Sequence, residues 1–308
     1  MTISNLLHNR CTMFWMDKSR VEKLAIGTVQ FGMPYGIANS TGQVSRDEAY
    51  QILKIAYVKG IHTIDTARGY GESEAVIGGY ISQNPQQEWE VITKISKNGK
   101  SVNDHIEVST KILGQAPYAV LAHNADDYTS DPDFMSGLFR AKDSIGIKKI
   151  GVSIYNSEEI EAVMARFKPD IIQLPLNILD TRLVRSGALE MLKEQDVEIH
   201  VRSIFLQGLF YLSQKEIEQY IPMASEPVRR LRNVAEDAKL RLSELSLLWA
   251  ASVSEFDKIV IGVDCASQLQ EHLTTLEKPV DGAVFQEVMN IAFEDERVLN
   301  PSLWPAKS

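Results

Sequence analysis

Eight short apolar runs separated by helix-like segments constrain the fold of this chain more than any other feature. They occupy residues 24–29, 61–65, 90–95, 118–123, 148–153, 170–174, 197–203 and 258–262. The runs are continuous in apolar character rather than alternating, the pattern of parallel strands covered on both faces. The stretches between them carry helix start signals. Ser45 and Glu48 have capping-box spacing ahead of Ala49, Ile52, Leu53 and Ala56. Ser157 precedes Glu158 and Glu159, acids suited to a helix N-terminus. Ser243 opens a segment with Leu245, Leu248 and Trp249 at helical spacing. Alternating strand and helix defines an α/β fold, and eight such units favour a closed (β/α)8 TIM barrel over an open sheet. No Pro/Gly/Ser linker divides the chain, so residues 21–308 are read as a single barrel domain. Residues 203–258 are longer than one helix requires and hold two helical stretches, near 214–219 and 227–242. Extra material after a barrel strand is expected over the mouth, although a plain surface insertion suits the second stretch equally well.

The overall charge narrows the partners. The 308 residues carry a formal net charge of −9, which argues against nucleic acid or an anionic membrane as the main partner. No apolar run reaches the roughly 18 residues of a membrane span. Residues 1–20 are read as a mobile N-terminal extension rather than a signal peptide, with Met16 an alternative start. Two isolated cysteines, Cys11 and Cys265, fit a reduced, cytoplasmic setting. The six histidines show no metal-ligand spacing, so no metal is expected, and His62 and His200 are read as packing residues. A monomer or homodimer is expected.

The chemistry is concentrated at the strand C-termini, the face on which barrel active sites form. The second run ends in Asp65, the third carries Lys94, the fourth ends in His123, the fifth in Ser153, the sixth holds Gln173, and the seventh closes with Arg202 and Ser203. Taken singly, each has an ordinary reading: a buried ion pair, a core histidine, a loop tyrosine. Asp, Lys and His on three successive strands form a converging site. Lys94 lies among Val91, Ile92 and Ile95, where an unpaired ammonium would cost several kcal/mol or lose its proton. Asp65 is its evident counter-ion, and Tyr70 follows five residues later. A nearby ammonium stabilises a phenolate and lowers a tyrosine pKa, and an imidazole could orient a carbonyl oxygen beside the same phenol.

The residues Thr63, Ile64, Asp65, Thr66, Ala67, Arg68, Gly69, Tyr70 and Gly71 resemble the signature of the aldo-keto reductase family. So do Val91 to Lys94, Val120 to His123 and the segment Gly27 to Gly32. The resemblance runs in order from about residue 24 to about residue 273, and it implies the same barrel. It implies that Tyr70 is a general acid, that Lys94 tunes it, that Asp65 anchors Lys94, and that His123 positions a carbonyl. The implied reaction is NAD(P)H-dependent reduction of an aldehyde or ketone. The alternative is a nicotinamide-binding sensor or regulatory barrel with weak turnover, which the full catalytic set disfavours. A Schiff-base lyase using Lys94 is opposed by Asp65.

There is no Gly-x-Gly-x-x-Gly dinucleotide fingerprint, and the family needs none, because it binds its cofactor extended across the barrel mouth. The implied cofactor wall comprises Gly27, Thr28, Ser153, Gln173, Arg202, Ser203, Gly262, Ser267, Gln268 and Glu271. The chain departs from the family at several of these places. The family's Ser-Asn pair reads Ser153-Ile154 here, so one carboxamide contact is lost. Asn177 lies close by and is read as a turn residue. Arg202 stands where many members stack an aromatic ring on the nicotinamide. Its plane can stack too, and its charge would favour the reduced ring. Gly262 and Gln268 replace the Lys and Arg common in NADP-preferring members, and His272 replaces an Asn. Ser267 and Gln268 at a helix start could still bind phosphate through backbone N–H groups, whereas Asp264 would repel a 2′-phosphate if it pointed inward. Family habit nevertheless implies NADP(H) over NAD(H).

Phe31, Tyr35, Trp89, Tyr155, Phe205 and Phe210 are aromatics available to a substrate, with packing the expected role for most. Segments 173–177 and 201–208 resemble a bacterial branch associated with sugar metabolism, which points by analogy to a sugar derivative.

Overall fold

The computed structural model describes residues 18–291 and 293–304. The extension read from residues 1–20 therefore falls outside the described residues as far as residue 17, with Cys11 and Met16 in it. Residues Lys18–Glu22 form a helical turn whose Arg20 donates to the carbonyl of Leu276, tying this end to the barrel.

Eight parallel strands close into a barrel: β1 (Leu24–Gly27), β2 (Thr63–Asp65), β3 (Glu90–Ile95), β4 (Ala119–Ala122), β5 (Lys149–Ser153), β6 (Ile171–Pro175), β7 (Glu198–Arg202) and β8 (Lys258–Gly262). Each pairs with its neighbours in sequence, and β8 pairs with β1 through Leu24–Ile259 to Gly27–Gly262. Five of the eight strands are shorter than the apolar runs that contain them. The first stops at Gly27: Thr28 donates its backbone N–H to the Asp65 carbonyl, and Val29–Gly32 turns into a short helix.

Side chains alternate along a strand, so residues two apart share a face. Ile92, Leu121 and Ile171 stand two positions before Lys94, His123 and Gln173, and they pack together as an apolar cluster separate from the main core. This cluster is the floor on which the polar layer stands. The polar residues cluster again near the other end of the barrel, where Glu198 takes Lys149 and His200. His200 is buried, its Nε2 3.5 Å from a Glu198 carboxylate oxygen.

The helix signals resolve with small differences. Ser45 caps Arg46–Val58 by accepting from the Glu48 N–H, but the Glu48 carboxylate instead accepts from the Ala266 N–H at 2.6 Å, so the box is only half made. Asn156, not Ser157, caps Ser157–Arg166. The helix read from Ser243 starts one residue earlier, at Leu242, where the Glu244 carboxylate accepts from the Arg241 backbone N–H at 2.8 Å and from its guanidinium at 2.9 Å. The long insertion divides in two. Residues 203–211 reach the barrel mouth, whereas Gln214–Tyr220 and Ser225–Asp237 pack beside it, the latter against helices Leu242–Ser252 and Gly282–Met289.

Candidate active site

A cavity of about 470 Å³ opens at the C-terminal end of the barrel. Its wall contains all four expected catalytic residues, Asp65, Tyr70, Lys94 and His123. Lys94, 1% exposed, donates to Asp65 Oδ1 at 2.5 Å and to the Thr66 carbonyl at 3.1 Å. Asp65 Oδ2 accepts from Gln173 Nε2 at 2.7 Å. A buried charge pair is tolerable only when its remaining hydrogen-bonding capacity is met, and here both carboxylate oxygens have donors. Lys94 Nζ lies 5.3 Å from the centre of the Tyr70 ring. The Tyr70 and His123 rings meet edge to face with centroids 5.8 Å apart.

The loop carrying Tyr70 is seated by close backbone approach. A Cβ on Gly32 would fall 1.7 Å from the Tyr70 carbonyl oxygen, and one on Gly71, at φ +54°, would fall 2.3 Å from the Gly32 oxygen. Only glycine permits both contacts. Ser73 locks the same loop by donating to the Thr28 carbonyl at 2.9 Å, beside the Thr28 hydroxyl that donates to the Asp65 carbonyl. Glu74 is a buried hub that sequence reasoning missed. It accepts from Arg68, Thr93 and Ser109, so the loop, β3 and the next helix share one carboxylate.

Burial, with the Lys94 ammonium nearby, holds the His123 imidazole down at about 4. His272 is also pushed down to about 4 by burial, stacked on Phe205 with ring centres 5.0 Å apart. Both rings are neutral in the folded chain at pH 7, while the unfolded chain binds their protons below about 6.5. Their contribution to stability is therefore complete above about pH 6.5 and is lost as the pH falls toward 4. Denaturant midpoints measured from pH 7 to pH 4.5 are expected to fall steadily, and His272→Phe should make that fall shallower.

Of the expected cofactor residues, Gly27, Thr28, Ser153, Gln173, Arg202, Ser203, Gly262 and Gln268 line the cavity. Ser267 and Glu271 do not: Ser267 lies against Cys265 Sγ at 3.1 Å, and Glu271 is paired with Arg241. The Thr28 hydroxyl is committed to Asp65 and Ser73. The buried Ile154 side chain belongs to the core, and its carbonyl accepts from Arg202 at 3.3 Å. Asn177 is a turn residue, its Oδ1 accepting from the N–H groups of Leu179 and Asp180.

The wall also contains Gln30, Tyr35 and Asn39 of the first loop, and Gln207 and Tyr211, which the sequence did not single out for the site. Tyr35 and Asn39 lie in a loop tied to the far side of the mouth. Ile37 donates its N–H to the Gln207 carbonyl at 2.9 Å, and Asn39 Nδ2 donates to Asp264 Oδ1 at 3.1 Å. Tyr35 sits on the rim, 36% exposed, yet burial of its phenol beside Tyr70 pushes its pKa up to about 12. Asp264 does face the cavity, half-buried, and burial raises its carboxyl above the ordinary range.

The cavity has acceptors suited to a carboxamide. Gln173 must point Nε2 at the acceptor-only Asp65 carboxylate, which fixes Oε1 on the other side. That Oε1 is buried and has no hydrogen-bond partner, and the same holds for Gln30 Oε1. A buried unpaired acceptor is costly, and in a cavity wall it marks a place for a ligand N–H. No group of three His, Cys, Asp or Glu side chains able to hold a metal occurs among the described residues. Nor is any described helix long and apolar enough to cross a membrane.

A closed barrel with a buried Asp-Lys pair, a tyrosine and a neutral histidine at its mouth has the form of a barrel oxidoreductase. The chain belongs to the aldo/keto reductase family, whose model matches residues 23–292. A comparison with curated proteins finds no match. Among solved structures, an aldo-keto reductase of Bacillus halodurans in its holo form is similar, with a TM-score of 0.73 at 19% identity over 89% of this chain and 95% of that one. A glycerol dehydrogenase of Gluconobacter oxydans is similar at a TM-score of 0.67 and 17% identity, over 91% and 93% of the two chains. At these identities the likeness is one of fold.

Proposed function

We propose that the protein is a nicotinamide-dinucleotide-dependent carbonyl reductase in which Tyr70 protonates the carbonyl oxygen of an aldehyde or ketone. The observation that carries the reading is the meeting of Tyr70, Lys94 and His123 on one wall, next to the unpaired Gln173 Oε1. Ser153 and Gln173 would hold the carboxamide of the cofactor, with Gly27, Gly262, Arg202, Ser203 and Gln268 along its length. The chemistry such a cofactor supplies when bound is a hydride for the carbonyl carbon. The protein supplies the rest. His123, neutral at pH 7, offers an N–H to the carbonyl oxygen without placing a competing charge there. Tyr70 gives its phenolic proton to that oxygen as negative charge develops on it, and the O–H bond of the alcohol forms. The phenolate left behind faces the Lys94 ammonium, which Asp65 keeps fixed, and it takes a proton back from solvent.

Of the two dinucleotides, NADH is the better fit to this wall, against the NADP(H) preference that family habit implies. Basic side chains that would hold a 2′-phosphate are replaced by Gly262 and Gln268, and Asp264 turns inward beside them. A carboxylate suits a ribose hydroxyl and repels a phosphate. The expected kcat/KM is higher with NADH than with NADPH. Asp264→Asn should shift that ratio toward NADPH about tenfold, equivalent to about 1.4 kcal/mol. A wild-type preference for NADPH would overturn this choice of cofactor.

A further inference from the structure

We propose that Glu74 is a positioning residue for the reaction, its buried carboxylate setting the placement of Tyr70 against Lys94. The proposal rests on the carbonyl-reductase reading and adds to it a residue that lies outside the cavity wall.

Tyr70 and Lys94 sit on different elements, Tyr70 in the loop after β2 and Lys94 within β3. The Lys94 ammonium donates to Asp65 Oδ1 and to the Thr66 carbonyl, and it faces Tyr70 across 5.3 Å to the ring centre. That distance follows from how the loop is carried relative to β3. The backbone supplies part of the support. Thr66 donates its N–H to the Ile92 carbonyl at 2.8 Å, and Arg68 donates to the Lys94 carbonyl at 2.9 Å. Past Arg68 the loop turns, with the Tyr70 N–H on the Ala67 carbonyl. Gly32 and the bond from Ser73 to the Thr28 carbonyl then anchor it on the β1 side.

Glu74 supplies the anchor on the β3 side. Its Oε2 accepts from Arg68 Nη1 at 2.5 Å, and its Oε1 accepts from Thr93 Oγ1 at 2.7 Å. Arg68 comes before Tyr70 and Glu74 after it, so this ion pair staples the base of the loop that carries the phenol. Thr93 immediately precedes Lys94 in β3. One carboxylate thus joins both ends of the Tyr70 loop to the strand position next to Lys94. The third donor is of another kind. Ser109 Oγ, at 2.9 Å from Oε1, comes from helix Val102–Leu113 and belongs to neither the loop nor β3. Hydrogen bonds to a buried carboxylate are strong and hold their geometry. Arg68, Glu74, Thr93 and Ser109 all lie outside the cavity lining, so a change at any of them reaches the reaction through Tyr70 and Lys94. A displacement of about 1 Å caused from outside the reacting groups can cost about a hundredfold in rate.

The test compares the donors, with para-carboxybenzaldehyde as the probe. Thr93→Val and Ser109→Ala each take one hydroxyl from the same carboxylate oxygen, and both are expected to lower the thermal midpoint by similar amounts. Thr93→Val should also lower kcat by about ten- to a hundredfold, with KM and dinucleotide affinity within a few-fold of wild type. Ser109→Ala should keep kcat. Thr93→Ser retains the hydroxyl and should restore the rate. Arg68→Met should lower kcat as Thr93→Val does, and the double variant should fall little further than the slower single, because the two residues share one tie. Placement is read without turnover by fluorine NMR of protein made with 3-fluorotyrosine, in which the Tyr70 signal is the one lost in Tyr70→Phe. Thr93→Val and Arg68→Met should move that signal, and Ser109→Ala should leave it in place. Wild-type kcat in Thr93→Val would overturn the proposal. So would equal losses of kcat in Thr93→Val and Ser109→Ala, which would make Glu74 a support of the fold alone. If wild type reduces no aldehyde, the carbonyl-reductase reading fails on its own. The fluorine signal then decides for the positioning role by moving in Thr93→Val and Arg68→Met, and against it by staying or by moving equally in Ser109→Ala.

Discussion

Tyr70→Phe is expected to lower kcat for aldehyde reduction by about 10²- to 10⁴-fold, the range associated with loss of a positioned general acid. The ring stays, so its edge-to-face contact with His123 and its place over Lys94 survive. Only the proton donor is removed. The loop should hold its shape, because Gly32, Gly71 and Ser73 fix it through backbone contacts that do not involve the phenol. Dinucleotide affinity should therefore remain within a few-fold of wild type, and the thermal midpoint should hardly move. Single-turnover kinetics separate the two effects. A variant that binds dinucleotide normally and reduces aldehyde at the wild-type rate would remove Tyr70 from the reaction. Tyr35 is the neighbouring phenol to examine next, and its pKa, pushed up to about 12, keeps it protonated.

The second large effect is on stability as well as rate. Lys94→Met leaves the Asp65 carboxylate, 3% exposed, without its counter-charge. Breaking a buried ion pair from one side costs about 3–5 kcal/mol, because the remaining charge stays desolvated. Lys94→Met should show a loss of that size by denaturant unfolding, together with a large fall in kcat. Adding Asp65→Asn removes the stranded charge and leaves an amide oxygen to accept from Gln173 Nε2, the bond now made at 2.7 Å. The double variant should recover much of the stability and none of the activity. Recovery of both would mean that the pair is structural only. Recovery of neither would mean that the pair is not the electrostatic unit described here.

These two predictions use the part of the site that was legible in the sequence. Asp65, Lys94 and His123 close or nearly close successive apolar runs, and parallel strands in sequence order must bring such residues to one face. The strands themselves were legible because residues buried on both faces leave an unbroken apolar signal. Helix caps were less so. Glu48 has box spacing from Ser45, but its carboxylate finds the Ala266 N–H across the fold, a competition that local spacing does not encode. The first loop was legible only in part. Tyr35 was an aromatic available to a substrate, but Tyr35 and Asn39 lie in a polar stretch with no periodic signal, and their loop is tied to the mouth by contacts with Gln207 and Asp264 far along the chain. Glu74 was hidden for a similar reason: an acid in the first turn of a helix reads as a dipole partner, whereas its three donors come from the loop before it, from β3 and from Ser109. Ser267 and Glu271 lie in the segment that matches the family, yet neither lines the cavity. A matching segment does not say which of its side chains the fold brings to the cavity wall: here Gln268 lines it, while Ser267 lies against Cys265 and Glu271 pairs with Arg241.

The proposed function is tested most directly by following the hydrogen itself. The protein is incubated with para-carboxybenzaldehyde and with reduced dinucleotide carrying deuterium at the transferring position of the nicotinamide, and the product is analysed by mass spectrometry. The expected product is a stoichiometric alcohol carrying one deuterium on the former carbonyl carbon, formed by wild type and at a rate lowered by about 10²- to 10⁴-fold by Tyr70→Phe. Tight dinucleotide binding with no deuterated alcohol from this or any other aldehyde or ketone offered would contradict it.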